Sequence, residues 1–240
     1  MSAGRDLQRF AEAVARQGSA LDHVALLLGD WDYPALDVAQ YRRQLDDIAV
    51  VVRQAVERQP QLPVARAQAI SDVLFSQMRF RGNVDDYYDP RNSFLGQVLD
   101  RRLGIPISLS VLFLEVARRV GVLAQGVNFP GHFLVRVADD DSWRFLDAFD
   151  GGRLLANAEL LAILQRSAGP DATVEPAHLS AASKKQIISR MLLNLAGIYG
   201  KHGDLVRSVS VLERLAILDP DNSRLARELA ALRSRVDSLN

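Results

Sequence analysis

Read by the spacing of its apolar residues, the chain begins in helices. Leu7, Phe10, Ala11 and Val14 fall at helical intervals, and a second apolar group runs from Ala25 to Leu28. Tyr41, Leu45, Ile48, Val52 and Val56 then mark a long amphipathic helix, with Pro34 and Asp37 ahead of it as start signals. Gln59, Pro60 and Pro63 end it, and a further helix is expected through Ile70, Val73, Leu74 and Met78. Periodicity is lost in RGNVDDYYDPRN, Arg81 to Asn92, which reads as a surface loop. A short helix should follow in NSFLGQVLDRRLG, with Asn92 or Ser93 as its N-cap and Gly104 as its terminator. GIPISLSVLFLEVARRVG repeats that grammar, with Pro106 in the first turn and Gly121 past the end. It is apolar around most of its girth, as a buried central helix must be.

Beyond Gly121 the pattern becomes strand-like. VLAQGVNF, HFLVRV and WRFLDAF read as strands, the last two joined by ADDDS, so Asp139 to Asp141 form a solvated hairpin turn. Asp150, Gly151 and Gly152 make a tight turn, a short helix covers Ala158 to Ser167, and residues 169–182 read as a linker. Two helices then meet at Gly203 and Asp204 and stop at Asp219 and Pro220, the length and grammar of one tetratricopeptide unit. Its anchors are Leu192, Leu195, Ala196 and Tyr199, then Ser208, Leu212 and Leu215; a last helix runs from Ser223 to Leu239. One isolated repeat cannot bury both faces, so this hairpin is expected to pack on the core. The fold class is α+β. The expected divisions are a helical N-terminal region at 1–80, a helix-plus-antiparallel-sheet core at 81–168, the linker at 169–182 and tetratricopeptide-like helices at 183–240.

Composition narrows the chemistry. With 29 basic and 29 acidic residues the net charge is zero, which removes the usual electrostatic footprint of a nucleic-acid binder. No apolar run approaches the ~18 residues of a membrane span, and the N-terminus lacks a signal-peptide core, so a cytoplasmic protein without membrane contact is expected. There is no cysteine, which excludes disulfides, thiolate metal sites and cysteine nucleophiles. Neither GxxxxGK[ST] nor GxGxxG occurs, no two histidines have metal-ligand spacing, and neither cofactor nor metal is expected.

Of the four histidines, His23, His178 and His202 lie where solvated or capping roles are the rule. His132 differs: it follows the turn NFPG at a strand start, and Asp147 lies in the next strand, WRFLDAF. Antiparallel pairing can bring these two side chains together before the N-terminus of the apolar helix, an arrangement used by papain-like and transglutaminase-like enzymes.

The stretch YDPRNSFLGQVLDRRLGIPISLSVLFLEVARRVGVLAQGVNFPGHFLVRV, with WRFLDAFDGG after it, resembles the transglutaminase-like core of the bacterial SirB-type proteins. The C-terminal tetratricopeptide-like unit is the appendage typical of that family, and the resemblance covers residues 30 to 225 or so. It implies a core related to transglutaminases and papain-like proteases, with His132 matching the catalytic histidine and Asp147 the aspartate. The nucleophilic cysteine has no counterpart; its position falls near Pro106 to Ser108, within GIPIS.

Two readings of the site stay open. In one, Ser108, or else Ser110, replaces the thiol, and His132 acts as general base beside Asp147. In the other, the serine hydroxyls satisfy backbone groups at the helix start and the His132–Asp147 contact is structural. Asn92, Ser93 and Phe129 are candidate binding residues at the cleft, and Tyr199 is one on the C-terminal helices. The expected function is a non-catalytic protein-interaction or regulatory module with a protein or peptide partner. A serine-dependent amidase, peptidase or acyl transferase, and a structural subunit of a larger complex, are the alternatives.

Overall fold

The computed structural model describes residues 3–140 and 142–239; Asp141, in the expected hairpin turn, lies outside them. Four helices open the fold: α1 (Ala3–Ala15), α2 (Leu21–Leu27), α3 (Val38–Glu57) and α4 (Pro63–Ser71). Asp37 caps α3 as expected, its carboxylate accepting from the Gln40 amide at 3.0 Å. The helix buries the stripe Leu45, Ile48, Ala49, Val52 and Val56. A π-helical turn, Asp72–Gln77, continues α4.

The segment read as a loop is more structured than expected. Within it β1 (Arg81–Gly82) pairs in parallel with β2 (Leu103–Gly104), and Pro90–Ser93 forms a 3-10 turn. Asn92 and Ser93 therefore do not cap α5 (Leu95–Arg101); Phe94 stands at that position without a side-chain cap. Gly104 does not terminate α5 either. Arg102 does so in the left-handed conformation, φ 58°, and Gly104 belongs to β2. The glycine has another cause: a Cβ there would stand 2.8 Å from the Ser108 hydroxyl and 2.9 Å from Leu109. α6 (Pro106–Arg119), with Pro106 in its first turn, is buried continuously from Pro106 to Ala117.

The larger sheet is a four-stranded antiparallel meander, one strand more than expected: β3 (Ala124–Val127), β4 (Leu134–Asp139), β5 (Ser142–Asp147) and β6 (Arg153–Leu155). Val135 stands opposite Leu146, and Arg153 opposite Asp147. Both faces are covered. Val135, Val137 and Leu146 join the core around α6, while Val127, Leu134, Phe145 and Leu155 pack with Leu160, Ile163 and Leu164 of α7 (Asn157–Ala168). This double burial explains why HFLVRV is apolar at successive positions instead of alternating. The short β6 was not expected; Gly151 and Gly152, φ 66° and 69°, turn the chain into it.

Residues 169–182 connect α7 to α8 (Lys184–His202) and lie against the body of the protein. Ala172, Val174 and Leu179 pack on the α7 cluster, Arg136 donates to the Leu179 carbonyl at 2.9 Å, and the Ala182 amide donates to Gly126 of β3 at 2.7 Å. Gly203, φ 68°, ends α8. α9 (Leu205–Leu218) and α10 (Ser223–Asp237) complete the chain. One hydrophobic core reaches from Phe10 through α6 to Leu229, so the C-terminal helices share it with the N-terminal ones. No described helix is long and apolar enough to cross a membrane.

Candidate functional site

The Pro130–Gly131 turn aims His132 at the end of β5. It closes with the His132 amide donating to the Phe129 carbonyl at 3.0 Å, and Gly131 supplies φ 74°. Asp147, the last residue of β5, faces the ring: His132 Nε2 stands 2.9 Å from Asp147 Oδ2. The approach is oblique, so this is a close polar contact and not a linear hydrogen bond. The other carboxylate oxygen is fixed by the Phe149 amide at 3.0 Å. His132 Nδ1 has no partner among the described residues, leaving it as the ring nitrogen available for chemistry or binding.

These two residues lie in the wall of a cleft of about 1100 Å³ that is open to solvent. Pro106, the first residue of α6, also lines it. Val84, Tyr87 and Phe149 form one apolar wall, with Tyr87 edge-on to Phe149 at 5.8 Å and Phe149 edge-on to His132 at 6.5 Å. α7 contributes Glu159, Ala162, Ile163 and Arg166, which its helical repeat sets on one face. Arg153 bonds to both Asp150 and Glu159. Those bonds raise the Arg153 pKa, while the Ala156 amide and then Arg153 hold Glu159 below its usual range.

Ser108 does not join this group. Its side chain is fully buried; the hydroxyl donates to the Asn92 carbonyl at 2.6 Å and accepts from the Ile105 amide at 3.0 Å. Ser110 is equally buried and donates to the Pro106 carbonyl at 2.7 Å. The structure thus brings together His132 and Asp147 of the three expected catalytic residues, and turns the serine inward.

A profile of the transglutaminase-like superfamily matches residues 39–193. The chain belongs to the transglutaminase-like superfamily. The match begins in α3 and ends in α8. Among similar proteins, a UPF0162 protein of Xylella fastidiosa is 39% identical over 207 residues, 85% of this chain and 73% of that protein. A UPF0162 protein of Pseudomonas aeruginosa is 30% identical, covering 89% of this chain and 77% of its own. F-box only protein 21 of Mus musculus is 37% identical over 152 residues, 60% of this chain and 23% of that protein. No solved structure matches.

The four expected binding residues are all turned inward in this transglutaminase-like fold, which corrects their assignment to a binding surface. Asn92 is a buried staple: its amide donates to the Asp86 carbonyl at 2.7 Å, and its side-chain oxygen accepts from Asn83 at 3.0 Å. Ser93 is buried beside it. Phe129 fills the α7 side of the sheet, edge-on to His178. Tyr199 packs edge-on to Trp31 and donates to Asp32 at 3.3 Å, so it docks α8 on the N-terminal region. Arg153, Glu159 and Arg166 of the cleft were not anticipated. Their only signal was the spacing of Glu159, Ala162, Ile163 and Arg166, which α7 shares with any amphipathic helix.

Proposed function

We propose that this is a non-catalytic transglutaminase-like protein of SirB type that binds a protein or peptide partner through the cleft at His132. It works in the cytoplasm, and its α8–α9 hairpin is a tetratricopeptide-like unit. One observation carries the reading: where α6 meets the cleft stands Pro106, which offers no nucleophile, while the Ser108 hydroxyl is engaged by Asn92 and Ile105 away from it. A serine whose proton and lone pair are both held by main chain has no ready path to act on a substrate. The size of the cleft and its apolar wall suit an extended chain better than a small ligand.

The test pans a displayed peptide library on the full-length protein. Val84→Trp, at a position 76% exposed on the cleft wall, serves as the counter-screen. Peptides retained by the native protein and lost with Val84→Trp support the reading; absence of any such peptide overturns it. The serine-enzyme reading draws on the unpartnered Nδ1 of His132 beside Asp147. It requires a hydroxyl-directed phosphonylating probe to label the protein, with labelling abolished in both Ser108→Ala and His132→Ala. We expect no such labelling.

A further inference from the structure

Away from the His132 cleft, α1, α2, α8 and α9 converge on a pocket of about 180 Å³. Its floor is apolar: Val24, Ile188 and Leu218 are buried there, and Val14 is half-buried beside them. None of these side chains offers water a hydrogen bond. An apolar cavity of about 150 Å³ already stays dry and takes a benzene-sized guest, so the space suits a phenyl ring or an alkyl chain of about six carbons.

The rim has the opposite character and a single sign. Lys184 and Lys185, in the first turn of α8, are the charged residues that line the pocket, and no described carboxylate does. Lys185 is exposed and stands 3.5 Å from Asp219, the residue that follows α9, so those two charges answer each other. Lys184 has no carboxylate partner among the described residues. Its half-buried side chain reaches across to the connection between α1 and α2, where the ammonium donates to the Ser19 carbonyl at 2.7 Å. That bond fixes the ammonium at the rim and leaves it further N–H groups to donate. With Asp219 counted against Lys185, the rim keeps the charge of Lys184, anchored to main chain at the edge of an apolar space.

We propose that this pocket binds a small amphiphile with an acidic head. A phenyl ring or an alkyl chain of about six carbons fills the space among Val14, Val24, Ile188 and Leu218, and the carboxylate accepts from Lys184. The site is separate from the cleft and independent of the peptide-binding reading. Because its walls come from both ends of the chain, an occupant ties the N-terminal helices to the C-terminal ones and stabilises the folded protein by mass action.

The experiment titrates the full-length protein with straight-chain carboxylates from butanoate to decanoate, and with hexanol as the uncharged match for hexanoate, in methyl-resolved NMR spectra. The Val24 and Ile188 methyl signals are expected to shift saturably. Affinity should rise up to about four-fold for each added methylene, the scale of burying one CH₂, and level once the pocket is full near about six carbons. Hexanoate should bind up to about five-fold more tightly than hexanol, the scale of one solvent-screened ion pair. Lys184→Met keeps the stem and removes the charge; it should erase that difference and leave hexanol binding as it was. The chain-length and head-group comparisons use the native protein alone, so the test stands whatever the stability of the variant. Affinity that ignores chain length, equal binding of hexanoate and hexanol, or a carboxylate preference that survives Lys184→Met overturns the inference. So does the absence of shifts at Val24 and Ile188 with every member of the series.

Discussion

The serine at the start of α6 illustrates how the same residue type serves opposite ends. A hydroxyl near a helix N-terminus beside a histidine has the composition of a nucleophile, but its direction is set by Asn92, sixteen positions earlier, whose carbonyl accepts its hydrogen bond. Nothing local in GIPIS encodes that partner, so the sequence could not separate the two roles. His132 and Asp147 were legible because antiparallel pairing of neighbouring strands leaves few alternatives for their side chains. Ser108→Ala should remove an acceptor from the buried Ile105 amide and a donor from the Asn92 carbonyl. We expect it to destabilise the protein by about 1–3 kcal/mol in urea unfolding, with peptide binding by the folded fraction unchanged. Loss of peptide binding without loss of stability would instead give Ser108 a role at the cleft.

Among the elements, the helices and the long strands were readable from periodicity and stop signals, whereas β6 and the β1–β2 pair were not. Strands of two or three residues carry too little pattern to be distinguished from turns, and their pairing is set by partners distant in sequence. Burial of charge was equally hidden. Arg119, at the end of α6, ties that helix to α2 through Asp22 and to α3 through Asp46. Burial alone would raise the Asp22 carboxyl, but the Arg119 and Arg42 guanidiniums outweigh it and hold Asp22 below its usual range. A carboxyl depressed in the folded state contributes stability above its unfolded pKa, near 3.9, and loses it as pH falls through the lower folded value. Asp22→Asn should therefore cost about 3 kcal/mol at pH 7, with the gap to the native protein closing below about pH 4. Thermal melts across that range give the comparison, and a gap independent of pH would remove the carboxylate from the account.

Across the whole molecule, one hydrophobic core runs from Phe10 to Leu229 through the expected N-terminal, central and C-terminal stretches. The composition shift near residue 169 marks a change of element, which sequence alone cannot tell from a change of domain. Heating should accordingly give a single transition by circular dichroism and by fluorescence. A chain ending at residue 182 should fail to fold cooperatively, because Met191, Leu192 and Leu195 are removed from the shared core. The seam between α9 and α1 holds an apparent cost: Arg214 is buried against Phe10 and Trp31, with Nε and Nη2 unpartnered, and desolvation pushes its pKa down to about 10. Replacing it by Met should be neutral or stabilising, by about 1–2 kcal/mol or a few degrees in Tm. A large loss in the Arg214→Met protein would mean that those nitrogens are satisfied in solution.

The amide of Ala182 on Gly126, with Ala181 bridged to Val127, gives the connecting segment a second consequence. The outer margin of β3 would otherwise be a row of open main-chain donors and acceptors, the template on which a foreign strand adds. Residues 181 and 182 close it with the protein's own chain, so a proteolytic nick between α7 and α8 would do more than sever a connection: it would free a sticky border and convert a well-behaved molecule into a seed for self-association.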